Sequence, residues 1–165
     1  MNGGKLRVLV ADNHEQSRWV VSQILGGVCE LMATDGDSSK LFDSAISSEP
    51  DVIVSVITLP AVTGAQAIEE LKRQGHNIPL VLVCSDTFGV EEYSELSTIA
   101  IVEKIDIGYE LVPAVFSAAL GQPYVSRSAD LKGFDVLHPP ENPAIPEFGG
   151  NFREGAHSWA RKFFN

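Results

Sequence analysis

The amino-acid sequence predicts an α/β protein, a doubly wound parallel sheet built from five βα units within roughly the first 120 residues. Three observations lead there. Short runs of β-branched apolar residues alternate with segments of helical period. The central run, Asp51 to Gly64 (DVIVSVITLPAVTG), is apolar without alternation, as a strand covered by helices on both faces must be. It stops at the turn Leu59-Pro60-Ala61-Val62-Thr63-Gly64.

The elements follow in order. Leu6 to Ala11 (LRVLVA) is strand one, ended by Asp12-Asn13-His14. Ser17 to Leu25 reads as helix one, with Val20, Val21, Ile24 and Leu25 on one face and Gly26-Gly27 as its stop. Cys29 to Ala33 is strand two. Asp35 to Ser38 supplies capping residues for helix two, whose inward face is Leu41, Phe42, Ala45 and Ile46. Val52 to Ile57 is strand three. Gly64 to Gln74 is helix three, with Ala67, Ile68 and Leu71 inward and Gly75 at the C-terminal cap. Leu80 to Cys84 (LVLVC) is strand four.

A loop from Ser85 to Gly89 leads to a weak acidic fourth helix, Val90 to Leu96. Ile99 to Val102 is strand five. Asp106 can cap the fifth helix, about Tyr109 to Leu120, which presents Leu111, Val112, Val115, Phe116 and Ala119. Pro113 requires that helix to start near Tyr109, since an interior proline costs about 3 kcal/mol. Alternation of this kind, with right-handed crossovers, gives a flavodoxin-like sheet of order 2-1-3-4-5.

Composition narrows the function classes. The chain has 44% apolar and 21% charged residues, enough for a core. A net charge of −10 argues against a nucleic-acid surface, because phosphates attract basic patches. No apolar run approaches the ~20 residues of a membrane span, and the first strand begins too early for a signal peptide, so a cytoplasmic protein is expected. Cys29 and Cys84 lie in apolar runs and read as buried reduced thiols. The four histidines show no metal-ligand spacing, and no cofactor is expected.

Loops after strands one, three, four and five of such a sheet converge on one pocket. The residues able to reach it are Asp12, Asn13, Val56, Thr58, Cys84, Ser85, Asp86 and Lys104. The pattern VLVADNHE, DVIVSVITLPAVTG, IPLVLVCSD and AIVEK resembles the CheY-like receiver domain of two-component response regulators over residues 5 to about 121. The turn at Leu59–Gly64, the spacing to Lys104 and the exit GQPYVSRSA are similar to NarL/FixJ-type regulators.

The resemblance implies a pocket with an acidic pair for Mg²⁺, a phospho-accepting aspartate, a Ser or Thr, a lysine and a switching aromatic. Asp12 matches the first acid and Lys104 the lysine. Asn13 stands at the second acid, Val56 at the phospho-acceptor, Cys84 at the Ser/Thr position and Ile101 at the switch position. Thr58 can offer only a backbone carbonyl to a metal. Valine has no lone pair, so no acyl phosphate forms at position 56, and one carboxylate is too few for Mg²⁺. No catalytic residue and no metal site are therefore expected, and Asp12 is free to pair with Lys104.

The implied function is a degenerate receiver, a pseudo-receiver in phosphorelay signalling that acts by protein–protein contact. Its surface would be the face of helix four, strand five and helix five, near Glu91, Glu92, Tyr93, Glu95, Tyr109 and Glu110. Two alternatives stand beside it: a small-molecule or redox sensor using Cys84 and Lys104, and a receiver phosphorylated at another aspartate, Asp86 or Asp12.

The receiver-like domain is assigned to residues 1–128. Residues 129–165 read as a Pro/Gly-rich linker and an aromatic tail. Within the tail, Arg153 to Asn165 places Ala156, Trp159, Ala160 and Phe163 at i, i+3, i+4 and i+7. It is too short and proline-rich for a helix-turn-helix, so this chain itself is expected to bind no nucleic acid. The tail either docks on the domain or meets a protein partner; a homodimer is a further option.

Overall fold

In the computed structural model, the described residues are 4–12, 14–33, 38–56, 69–85, 99–126 and 128. They form β1 (Leu6–Ala11), α1 (Glu15–Leu25), β2 (Cys29–Ala33), α2 (Ser38–Ser48) and β3 (Val52–Val56). Residues 69–73 are the described part of α3. β4 (Leu80–Cys84), β5 (Ile99–Glu103), a 3₁₀ turn (Lys104–Asp106), α4 (Ile107–Ala119) and β6 (Tyr124–Val125) complete the chain order. The α4 helix is the fifth helix of the sequence reading; residues 90–96, expected as the fourth, lie outside the described residues.

The sheet is wholly parallel, in the order β2-β1-β3-β4-β5-β6. The expected 2-1-3-4-5 core is present, and a sixth strand extends it. Residues 124–125, expected only as part of an extended exit, pair with β5 through Ala100↔Tyr124 and Ile101↔Val125. A two-residue strand has no periodicity to betray it; the free edge of β5 creates it by offering unpaired backbone groups.

Strand residues of alternate parity serve two cores. Val8, Val10, Val52, Val54, Val81, Val83 and Val102 pack with Val21 and Leu25 of α1 and Leu111, Val115 and Phe116 of α4. Leu9, Ile53, Leu80, Leu82 and Ile101 pack on the opposite side with Leu41 and Ala45 of α2 and Leu71 of α3. Central strands buried on both faces explain why their sequence shows no polar alternation.

Four local expectations need correction. First, α1 begins at Glu15, two residues early, and Val20 is 38% exposed rather than inward. Second, α4 begins at Ile107, so Pro113 sits inside it. Burial of Leu111, Val112, Ala114, Val115, Phe116 and Ala118 outweighs the ~3 kcal/mol of an interior proline. Third, Asp106 occupies the N-cap position of α4 but makes no side-chain capping bond. Its carboxylate is taken by Ser128 instead. Fourth, Glu110 is 6% exposed and cannot present itself on a contact surface, whereas Tyr109 is 86% exposed.

The α3 stop is as expected: Gly75 holds φ +86°, a left-handed conformation that a side chain would strain. No helix among the described residues is long and apolar enough to cross a membrane.

Candidate functional site

The sheet register builds the site. Ala11 lies opposite Ser55, Val56 opposite Val83, and Cys84 opposite Glu103. Asp12 and Lys104 each follow the last residue of their strand, β1 and β5. The C-terminal edge of the sheet therefore carries Asp12, Val56, Cys84 and Lys104, as the crevice rule for open α/β sheets anticipates.

Asp12 is fully buried. Its Oδ1 accepts the His14 backbone N–H at 2.9 Å, and His14 Nδ1 stands 3.6 Å from the same oxygen. Its main-chain carbonyl accepts a hydrogen bond from the Arg18 guanidinium at 2.7 Å. Oδ2 is buried without a hydrogen-bond partner. This acid-to-amide bond starts the turn into α1, and it explains why that helix begins early although His14 offers no side-chain cap.

The pairing expected between Asp12 and Lys104 is not made; Asp12 is held locally by His14 and Arg18. The cause is topological, because β3 and β4 stand between β1 and β5. At ~4.8 Å per strand the two backbones are about 14 Å apart. Lys104 opens the 3₁₀ turn and is partly buried.

Cys84 is 3% exposed, and its thiol donates to the Val102 carbonyl at 3.8 Å. Burial pushes the Cys29 thiol up to about 12, opposed by the charge of Lys5. Neither cysteine is in a disulfide, and both are buried. Ile101, at the switch position, is fully buried; β4 places Leu82 opposite it on one side and β6 places Val125 on the other. Asn13, Thr58 and Asp86 lie outside the described residues, as do Glu91, Glu92, Tyr93, Glu95 and residues 129–165. Of Val56 the backbone position is described.

The described donor set does not suit Mg²⁺. That cation takes six hard oxygens in near-octahedral array. Asp12 brings one carboxylate, the valine at position 56 brings no side-chain oxygen, and no three His, Cys, Asp or Glu among the described residues are grouped to hold a metal.

Sequence reasoning missed the residues that brace Lys104. Ser126 is fully buried; its Oγ accepts the Glu103 N–H at 2.9 Å, and its own N–H donates to the Ile101 carbonyl at 2.8 Å. Ser128 donates twice to Asp106. The Tyr124 hydroxyl donates to Glu110 Oε2 at 3.2 Å. The exit segment is thus bonded on both sides of Lys104. Only the Tyr-x-Ser-x-Ser spacing of the exit hinted at it.

No family model matches the chain. Among curated proteins, it is 25% identical over 76 residues to the DNA-binding transcriptional regulator NtrC of Escherichia coli K12, covering 46% of this chain and 16% of that protein. It is 25% identical over 128 residues to the uncharacterized transcriptional regulatory protein YxjL of Bacillus subtilis, covering 74% of this chain and 58% of that one. The chain thus spans less than two thirds of either relative. Among solved structures, the isolated REC domain of RcsB from Salmonella enterica serovar Typhimurium superposes with a TM-score of 0.64 at 16% identity, over 74% of this chain and 94% of that domain. The fold is that of the CheY-like receiver domains.

Proposed function

We propose that the chain is a response-regulator receiver domain of two-component signalling that has lost the family's phosphoryl chemistry and acts by protein contact. One observation carries this reading. Val56 ends β3 at the C-terminal edge of the sheet, in the strand next to Asp12, where the receiver pattern places its phospho-accepting aspartate. A hydrocarbon side chain cannot attack phosphorus. The fold, the two regulatory relatives and the Lys104 position support the receiver part of the proposal. The loss of a carboxylate at position 56 and the poor metal donor set support the pseudo-receiver part. The NarL/FixJ subtype rests on the exit GQPYVSRSA, whose Tyr124 and Val125 form β6.

On this reading the chain is not an enzyme, works in the cytoplasm, and signals through the face that includes Tyr109. The redox alternative loses its main support, because Cys84 is buried and bonded to a backbone carbonyl. Intact-mass measurement after incubation with a small phosphodonor and Mg²⁺ tests the proposal. No adduct is expected. A stable gain of about 80 Da, one phosphoryl group, would reject it in favour of phosphorylation at another aspartate.

A further inference from the structure

The route by which the chain leaves the sheet fixes Ser128 at one particular corner. Strand β6 is zipped to β5, Ser126 is bonded to Ile101 and Glu103, and Ser128 is bonded to Asp106. Ser128, the last described residue, therefore sits beside Asp106. On either side of Asp106 in sequence stand Ile105, 79% exposed, and Tyr109, 86% exposed. They are four residues apart, Ile105 in the 3₁₀ turn and Tyr109 in the first turn of α4, and with Trp19 and Val20 they are the exposed large hydrophobic residues among those described. Two exposed apolar side chains beside an anchored exit offer a surface that a segment tethered there can cover.

The chain contains a segment suited to be that cover. Residues 153–165 put Ala156, Trp159, Ala160 and Phe163 at helical spacing, so an apolar stripe forms only if the segment is helical. At this length a helix is marginal in water without a surface to lie on. The segment carries Arg153, Arg161 and Lys162 against Glu154, a net charge of +2, whereas the whole chain carries −10. Residues 1–152 are therefore at −12, and attraction to them is general.

We propose that residues 153–165 dock in cis on the Ile105–Tyr109 corner, with Trp159 and Phe163 as the apolar anchors. Reach is sufficient. A flexible chain as long as residues 129–152 would have an end-to-end distance of roughly 27 Å, and prolines at the frequency of this stretch would lengthen it. Tethering at that range gives an effective concentration near the millimolar level, so an intrinsic affinity of only ~0.1 mM keeps the contact mostly closed. The docked segment covers Tyr109, so a partner using that face must displace it. The docking does not depend on the signalling reading, since it rests on the exit geometry and the tail composition.

The chain has two tryptophans, Trp19 and Trp159, so Trp19→Phe in the full chain leaves Trp159 as the sole indole reporter. Acrylamide quenching of that variant should be several-fold weaker than quenching of free tryptophanamide. It should rise toward the free value when Ile105→Ser and Tyr109→Ser are added, and it should not change on dilution. Both positions are exposed, so the domain should still unfold in one cooperative transition, with far-UV circular dichroism and thermal midpoint changing by no more than the loss of the docked helix itself. Hydrogen exchange gives the reciprocal readout: Trp159→Ser should increase exchange across residues 105–109. Three results would each overturn the proposal. They are a Trp159 quenched like free indole, a protection indifferent to the two serines, and a protection lost on dilution, which would make a second copy the occupant.

Discussion

Ser128 grips Asp106 through two hydrogen bonds, one from its backbone N–H and one from its hydroxyl, both 2.9 Å. The carboxylate that opens α4 is thereby used to hold the chain's exit rather than to cap the helix. Together with Ser126 on Glu103, this contact fastens the exit segment to both flanks of Lys104.

Removing that fastening should loosen β6 in steps. Ser128→Ala keeps the backbone bond and loses one exposed hydroxyl bond, at a cost of about 0.5–1.5 kcal/mol or less. Ser126→Ala leaves the Glu103 N–H without its partner in a part-buried place, at about 1–3 kcal/mol. Urea unfolding should rank the two in that order, and hydrogen exchange at residues 124–126 should accelerate in both.

Phosphoryl chemistry should depend on restored carboxylates. The native chain should keep its mass with a phosphodonor and Mg²⁺. The double variant Asn13→Asp, Val56→Asp should gain about 80 Da, because it restores a nucleophile and two more hard ligands beside Asp12. A double variant that folds yet stays unmodified would mean that the pocket has lost more than these side chains.

Ile101→Tyr, which writes an aromatic back at the switch position, should destabilise the domain by about 1–3 kcal/mol. Ile101 is fully buried, and its strand is flanked by β4 and β6. Chemical denaturation measures this cost. A neutral Ile101→Tyr would indicate room for a switching aromatic after all.

Alkaline pH should erode stability through Cys29. Its thiol sits at 9.0 ordinarily and is pushed by burial to about 12 in the folded chain. Above 9.0 the unfolded chain releases a proton that the folded one retains, so the stabilisation is fully present below 9.0 and is lost as pH climbs to about 12. Thermal midpoints across that window should fall more steeply for the native chain than for Cys29→Ala. Below pH 9 the two profiles should run parallel, offset by the lost packing.

Much of the site was legible because its positions are tied to strand ends. A strand of β-branched residues announces both its location and its burial, and in a parallel sheet its last residue reaches the functional edge. Asp12, Val56, Cys84 and Lys104 could be placed that way. The Asp12–Lys104 pairing could not, because it depends on how many strands intervene and on the competing His14 amide. Glu110 misled for a similar reason. Glutamate on a helix reads as solvated, and the Tyr124 hydroxyl, fourteen residues later in the chain, helps make its burial tolerable.

By itself the sequence determined the alternation of strand and helix, the two-faced burial of the central strands, and the absence of a carboxylate at position 56. These are local properties, set by side-chain period and chemistry. Only the tertiary structure decided that the exit forms a sixth strand, that Asp106 serves Ser128, and that Pro113 can sit inside α4. Each of these depends on what another part of the chain brings alongside: a free strand edge, a donor pair, and enough buried apolar surface to offset an interior proline.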